Sequence, residues 1–187
     1  MSATQKIAAR RRRAPGELYV AQTGDLAAIE VLLAQVGESA GIAAGGLDAP
    51  GACWIGASVG DASTVLAGII GIETIVDMAV IRSLAVSEAM RRRGIGTALV
   101  GAARKAAHTR GARKLYALGR RGHDCISRDG ISQDYMLRFG FEPVALTAMV
   151  EDLDGTFTAG YLRAHPEQLA RIDALGLDLS RDGVIER

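Results

Sequence analysis

Aromatic residues make up only 4% of the 187-residue chain. That is too few rings for a stacking platform along single-stranded nucleic acid. Two cysteines, Cys53 and Cys125, cannot build a disulfide scaffold or a zinc finger. No metal-ligand spacing is present, so no metal is expected. No apolar run approaches the roughly 20 residues that cross a bilayer, and no apolar stretch follows the charged N-terminus as it would in a secretory signal. The expectation is a protein of the reducing cytoplasm with no membrane partner. Hydrophobic residues reach 49%, enough to offset the ordering entropy and fill one core of ordinary size.

The formal net charge of +1 conceals an asymmetry. Residues 1–14 carry +5 and residues 82–121 carry +10, which leaves −14 on the rest. Positive charge concentrated in mid-chain fits an anionic ligand; a solvated basic helix face is the plainer reading. Residues 1–14 have no apolar periodicity and read as a disordered basic tail.

A mixed α+β order follows from the periodicities. Residues 17–21 read as a strand, and Thr23-Gly24-Asp25 as the cap of a helix through Leu26, Ile29, Leu32, Leu33 and Val36 that stops at Gly37. Residues 53–57 read as a strand and 60–63 as a turn. Residues 65–75 and 78–86 read as a hairpin. A helix begins after Gly96 and ends at Gly111, and residues 115–118 form a strand parallel to 78–86. Residues 119–133 read as a loop, 134–139 as a short helix, 143–150 as a strand and 166–175 as a helix.

The informative segment is Arg91-Arg92-Arg93-Gly94-Ile95-Gly96-Thr97, between a strand and a helix. The first amides of a helix have no internal partner and carry partial positive charge. Glycines let an anion come close, and arginines add charge-assisted hydrogen bonds. A bare tight turn is the other reading. No G-x-x-x-x-G-K-[ST] is present, and Leu99 replaces the third glycine of the dinucleotide fingerprint.

In combination, Ile81-Arg82-Ser83-Leu84-Ala85-Val86, then Arg91-x-x-Gly94-x-Gly96, the strand at 115–118 and Phe139-Gly140-Phe141 resemble the GNAT superfamily of acyl-CoA-dependent N-acetyltransferases. The resemblance runs from about Leu66 to Val144. Gly71-Ile72-Glu73 with residues 81–86 is similar to arsinothricin-type arsenic-resistance enzymes and to the acetyltransferase domain of bacterial N-acetylglutamate synthases, which act on α-amino groups.

The resemblance implies a central mixed, mostly antiparallel sheet, splayed between two parallel strands and flanked by helices. It implies acetyl-CoA as donor, with Leu84, Ala85 and Val86 against pantetheine and Arg91, Arg92, Arg93, Gly94, Ile95, Gly96 and Thr97 around the phosphates. The acceptor amine attacks the thioester directly. Glu73 is the candidate base, with an ordinary edge-strand carboxylate as the other reading. Arg82 interrupts an apolar strand and needs an anionic partner: a substrate carboxylate, or an ion pair with Glu73 or Asp77. Ser83, also a substrate-binding candidate, is expected to pack on the face opposite Arg82. Met136 stands where the family carries a tyrosine, so Tyr135, one helical residue away, is either proton donor or core aromatic. His123, and with it Cys125, lies in the loop 119–133, as a substrate or proton-transfer residue or as part of an inert insertion.

Three functions compete: transfer of acetyl to a small, amino-acid-like primary amine; a catalytically silent acyl-CoA-binding module; and a nucleic-acid-directed protein using the tail, the least favoured. The domain is placed at residues 15–150. Residues 151–187 form an extension packed on it or at a homodimer contact.

Overall fold

The apolar runs of the N-terminal half become neighbouring strands. In the computed structural model, which describes residues 18–36, 46–59, 65–120 and 131–180, β1 (Leu18–Thr23), β2 (Ala52–Val59), β3 (Gly68–Ile75) and β4 (Met78–Val86) pair antiparallel in chain order. The tail 1–14, Gly37, the 60–63 turn, His123 and Cys125 lie outside the described residues. α1 (Leu26–Gln35) starts at Asp25, whose carboxylate accepts the Ala28 N–H at 3.0 Å, the cap the sequence announces. α2 (Ile95–Thr109) ends before Gly111, at φ +89°, and leads into β5 (Lys114–Arg120). β5 runs parallel to β4; among the described residues every other pairing is antiparallel, and the seven strands lie in the order β1-β2-β3-β4-β5-β7-β6.

Two segments depart from the reading of the sequence. Only Glu142–Val144 of the expected strand at 143–150 and its flank is extended, as β6; Leu146–Asp152 is a helix, α4. Leu146, Met149, Val150 and Leu153 recur at helical spacing, and Met149 and Leu153 are fully buried. The expected helix at 166–175 lasts one turn, α6 (Pro166–Leu169), before Ile172–Asp178 forms β7. β7 lies between β5 and β6 and bonds to both. Its Ala-Leu-Gly-Leu centre has little β preference of its own, and two neighbours supply what composition does not. The segment set apart as a C-terminal extension thus contributes an internal strand.

The sheet has one continuous core and one divided core. Ile95, Leu99, Val100, Ala103 and Ala107 of α2 cover one face, over Ile55, Ile70, Ile72, Ile81 and Leu115. On the other face α1 packs on Trp54, Ile69 and Ala85, while α4 and α5 (Phe157–Ala164) pack on Val80, Tyr116 and Ala174. Each large aliphatic residue buried in this way contributes about 1.5–3 kcal/mol. The seam between these two clusters, and the N-terminus of α2 opposite, are where polar groups collect.

Candidate functional site

The β4–β5 ladder runs from Met78↔Lys114 to Ile81↔Ala117 and stops. β4 continues to Val86 and β5 to Arg120, so the two strands part beyond that pair, leaving the β4 backbone from Leu84 to Val86 without β5 as its ladder partner. A bulge accompanies the parting. Gly71 pairs with Ser83 and Ile72 with Ile81, so Arg82 is the extra residue. A bulge bends its strand and resets the alternation of side chains. Ile81 and Leu84 consequently share the α2 face. Arg82 and Ser83 share the other, since Ser83 pairs with Gly71, where an added Cβ would meet the Trp54 ring at 2.6 Å. This corrects the expectation that Arg82 and Ser83 face apart; plain two-residue alternation does not survive the bulge. Ser83 is 4% exposed, and its hydroxyl has no hydrogen-bond partner among the described residues.

The arginine–glycine turn forms a concave wall. A 3-10 turn (Glu88–Met90) leads to Arg91, extended, then to Arg92 at φ +61° and Gly94 at φ +77°. Arg92 is left-handed without being glycine, a conformation that costs about 1–3 kcal/mol and collects at ligand sites. Gly94 occupies the N-cap of α2 and offers no side chain to the first helical amides. A cavity of about 450 Å³ opens there, lined by Val86, Met90, Arg91, Arg92, Gly94, Ile95, Gly96, Thr97, Tyr135 and Arg138. Arg91 is steadied by its Nε–H, which donates to the Val86 carbonyl at 3.3 Å. Arg93, Leu84 and Ala85 are not in that wall. The two glycines serve different ends. A Cβ at Gly94 would meet nothing, so that position needs the backbone angle; a Cβ at Gly96 would lie 2.7 Å from the Tyr135 hydroxyl, so that position needs the room.

Tyr135 reaches the cavity from α3 (Gln133–Leu137), whose first turn is held by Ser132 Oγ accepting the Tyr135 N–H at 3.2 Å. Its ring meets Phe139 edge-on, centroids 5.1 Å apart. Burial pushes the phenol above its ordinary pKa, against a hydrogen bond with Thr97 and the charge of Arg138. Met136, next in sequence, is fully buried in the core. Arg138 escaped the sequence reading; it sits one helical turn after Tyr135, which is the only signal that could have found it.

Glu73 and Arg82 occupy the seam on the other face. β3 is an internal strand, so Glu73 is not on a sheet edge, and it is fully buried. Its oxygens accept hydrogen bonds from the Phe157 N–H at 2.5 Å, the Thr158 N–H at 3.1 Å and the Thr158 hydroxyl at 2.9 Å. It therefore caps α5. Arg82 Nε lies 3.9 Å from Glu73 Oε2, and Arg82 Nη1 donates to the Gly46 carbonyl. The guanidinium stands 5.0 Å from the Phe157 ring centroid and 5.8 Å from that of Trp54, whose Nε1–H donates to the Leu47 carbonyl. Burial lowers the Arg82 pKa, and Glu73 opposes the shift. Of the partners offered for Arg82, the structure supplies the ion pair with Glu73. Among the described residues no cluster of His, Cys, Asp or Glu could hold a metal, and no helix is long and apolar enough to cross a membrane.

The family described as Acetyltransferase (GNAT) family matches residues 13–141. No curated protein matches the sequence. Among solved structures, N-acetylglutamate synthase from Neisseria gonorrhoeae, complexed with coenzyme A and N-acetyl-glutamate, is 16% identical with a TM-score of 0.59 over 87% of this chain; the match spans only 35% of that protein. Rv2747 from Mycobacterium tuberculosis, in complex with CoA, gives a TM-score of 0.61 at 16% identity over 87% of this chain and 98% of that one. IAA acetyltransferase from Bacillus cereus gives 0.51 at 14% identity over 87% and 99%. At these identities the likeness is one of fold, and the fold is the one described above.

Proposed function

The chain belongs to the GNAT family of acetyltransferases, and on that premise we propose that it transfers an acetyl group from acetyl-CoA to the primary amine of a small, amino-acid-like molecule by direct attack on the thioester. The observation that carries this reading is the position of the α2 cavity. Val86 belongs both to its wall and to the part of β4 that has separated from β5, so the anion-binding turn opens onto the gap between the strands.

In this reading the amides at the start of α2, with Arg91 and Arg92, hold the diphosphate of the donor. The Leu84–Val86 backbone pairs with pantetheine in the gap. Acetyl-CoA supplies the activated acyl group; the chain binds it, orients the amine and excludes water. The amine approaches from the face that carries Arg82 and Ser83, and the buried Ser83 hydroxyl, without a partner among the described residues, supports a polar contact there. The amino-acid-like class rests on the similarity of residues 71–73 and 81–86 to enzymes acting on α-amino groups. Glu73, with both oxygens engaged, acts by holding Arg82 and α5 in place.

Calorimetry with coenzyme A and thiol release from acetyl-CoA across amino acids, their analogues, aminoglycosides and polyamines test the proposal. Wild type is expected to bind the coenzyme and to release thiol with at least one amine. Gly94→Asp and Gly96→Asp, which put a carboxylate into the cradle, are expected to abolish binding. Binding without turnover on any amine would instead identify a silent acyl-CoA-binding module, a reading favoured by the buried Met136 and the occupied Glu73. No binding by wild type overturns both.

A further inference from the structure

We propose that Tyr135 is a donor-positioning residue whose hydroxyl hydrogen-bonds the diphosphate of the coenzyme at the N-terminus of α2, and is not the acid that protonates the departing thiolate. The inference rests on the function proposed above and assigns one residue of that site.

Three observations carry it. The hydroxyl lies over the cradle: a Cβ on Gly96 would come within 2.7 Å of Tyr135 Oη but 3.6 Å of Cζ, so the oxygen is the atom that overhangs the second helical position. The same side chain lines the cavity with Arg91, Arg92, Thr97 and Arg138, so a bound anion meets the hydroxyl together with the arginines. The Ser132 cap on the Tyr135 N–H fixes the first turn of α3, and the ring itself is held by its edge contact with Phe139. Burial keeps the phenol protonated, hence a donor, throughout the neutral range.

Distance argues against the acid role. The cavity meets β4 at Val86, while the fork where β4 leaves β5 lies at Ile81 and Ala117, and Ser83 and the β4 backbone beyond it lack β5 as ladder partner. Three residue steps take the strand from Ser83 to Val86, about 10 Å at the rise of an extended chain. A donor with its diphosphate in the turn would lay its pantetheine arm along that length, with the sulfur at the end away from Tyr135. The neighbouring position on α3, Met136, is fully buried and has no proton to give.

Tyr135→Phe, which keeps the ring and its contact with Phe139, separates the two roles. Isothermal titration of the full chain with coenzyme A and with 3′-dephospho-coenzyme A is expected to show about tenfold weaker binding of both in the variant, the loss of one hydrogen bond to a charged group. The ³¹P resonances of the bound diphosphate are expected to move between wild type and variant, with the 3′-phosphate resonance unchanged and the melting temperature of the ligand-free protein preserved. Equal affinity of wild type and Tyr135→Phe for coenzyme A overturns the assignment and leaves the transferase reading intact. Failure of wild type to bind coenzyme A removes that reading and this inference with it.

Discussion

At the scale of single residues the site is governed by close approach. Gly96 and Tyr135 compete for one space, and the competing atom is the phenolic oxygen. Gly96→Ala alone is expected to force the ring aside; in a Tyr135→Phe background the nearest ring carbon stands at ordinary contact distance, and alanine then brings its higher helix propensity. Denaturant unfolding of the four proteins is expected to give a coupling of about 1 kcal/mol between the two positions. Additive effects would show that the oxygen does not fill that space. Glu73 is the second decisive residue. Removing the charge from a fully buried carboxylate that faces Arg82 and three donors costs about 3 kcal/mol. Glu73→Gln is therefore expected to lower the urea midpoint markedly, with any turnover failing through displacement of Arg82 and α5. A variant of native stability with kcat alone abolished would restore Glu73 as the base. The residue types at both sites are legible in the sequence; their directions are not, because Tyr135 and Glu73 are aimed by partners distant in the chain and a one-residue bulge sets the face of Arg82.

Among the elements, helices and strands differ in how far they advertise themselves. α1 carries its stripe and its Asp25 cap locally, α2 its stripe and its Gly111 stop, and the β3–β4 hairpin carries two apolar runs around a two-residue turn, so these follow from neighbouring residues alone. α4 does not: its apolar positions satisfy both a strand and a helix, and only the sheet beneath decides, by burying Met149 and Leu153 together. Leu153→Ala is expected to cost about 2–5 kcal/mol in thermal or urea unfolding, as for other fully buried leucines. Thr147→Ala, on the exposed side of α4, is expected to change stability by less than about 0.5 kcal/mol. Equal effects at the two positions would contradict the helical packing. α5 has a local cap in Thr156, which accepts the Ala159 N–H, but the acceptor for its first two amides is Glu73, 84 positions before Phe157, a dependence no local pattern encodes.

For the molecule as a whole, groups with raised pKa values bear on stability at alkaline pH. Burial raises the pKa values of Cys53, Tyr116 and Tyr135, and Lys114 is raised chiefly by its hydrogen bond with Tyr116. Each group holds its proton more tightly folded than unfolded, so the stability it contributes is complete below its unfolded pKa and is lost as pH rises through the folded one. With unfolded values of about 8.5 for cysteine and about 10 for tyrosine and lysine, the urea midpoint is expected to be level from pH 7 to about 8.5 and to fall steadily above; a midpoint that climbs beyond pH 9 would contradict the assignment. The chain's own sequence determined the secondary elements with complete local signals, the parallel β4–β5 unit, and the chemistry of the turn at residues 91–97, because caps, periodicities and glycines act over a few residues. Tertiary structure alone decided that Ile172–Asp178 is an inner strand, that Arg82 and Ser83 share a face, that Glu73 caps α5, and that Tyr135 leans over Gly96. Those outcomes depend on partners distant in the chain, and a buried polar group or an unpatterned strand takes whatever partner the fold brings to it.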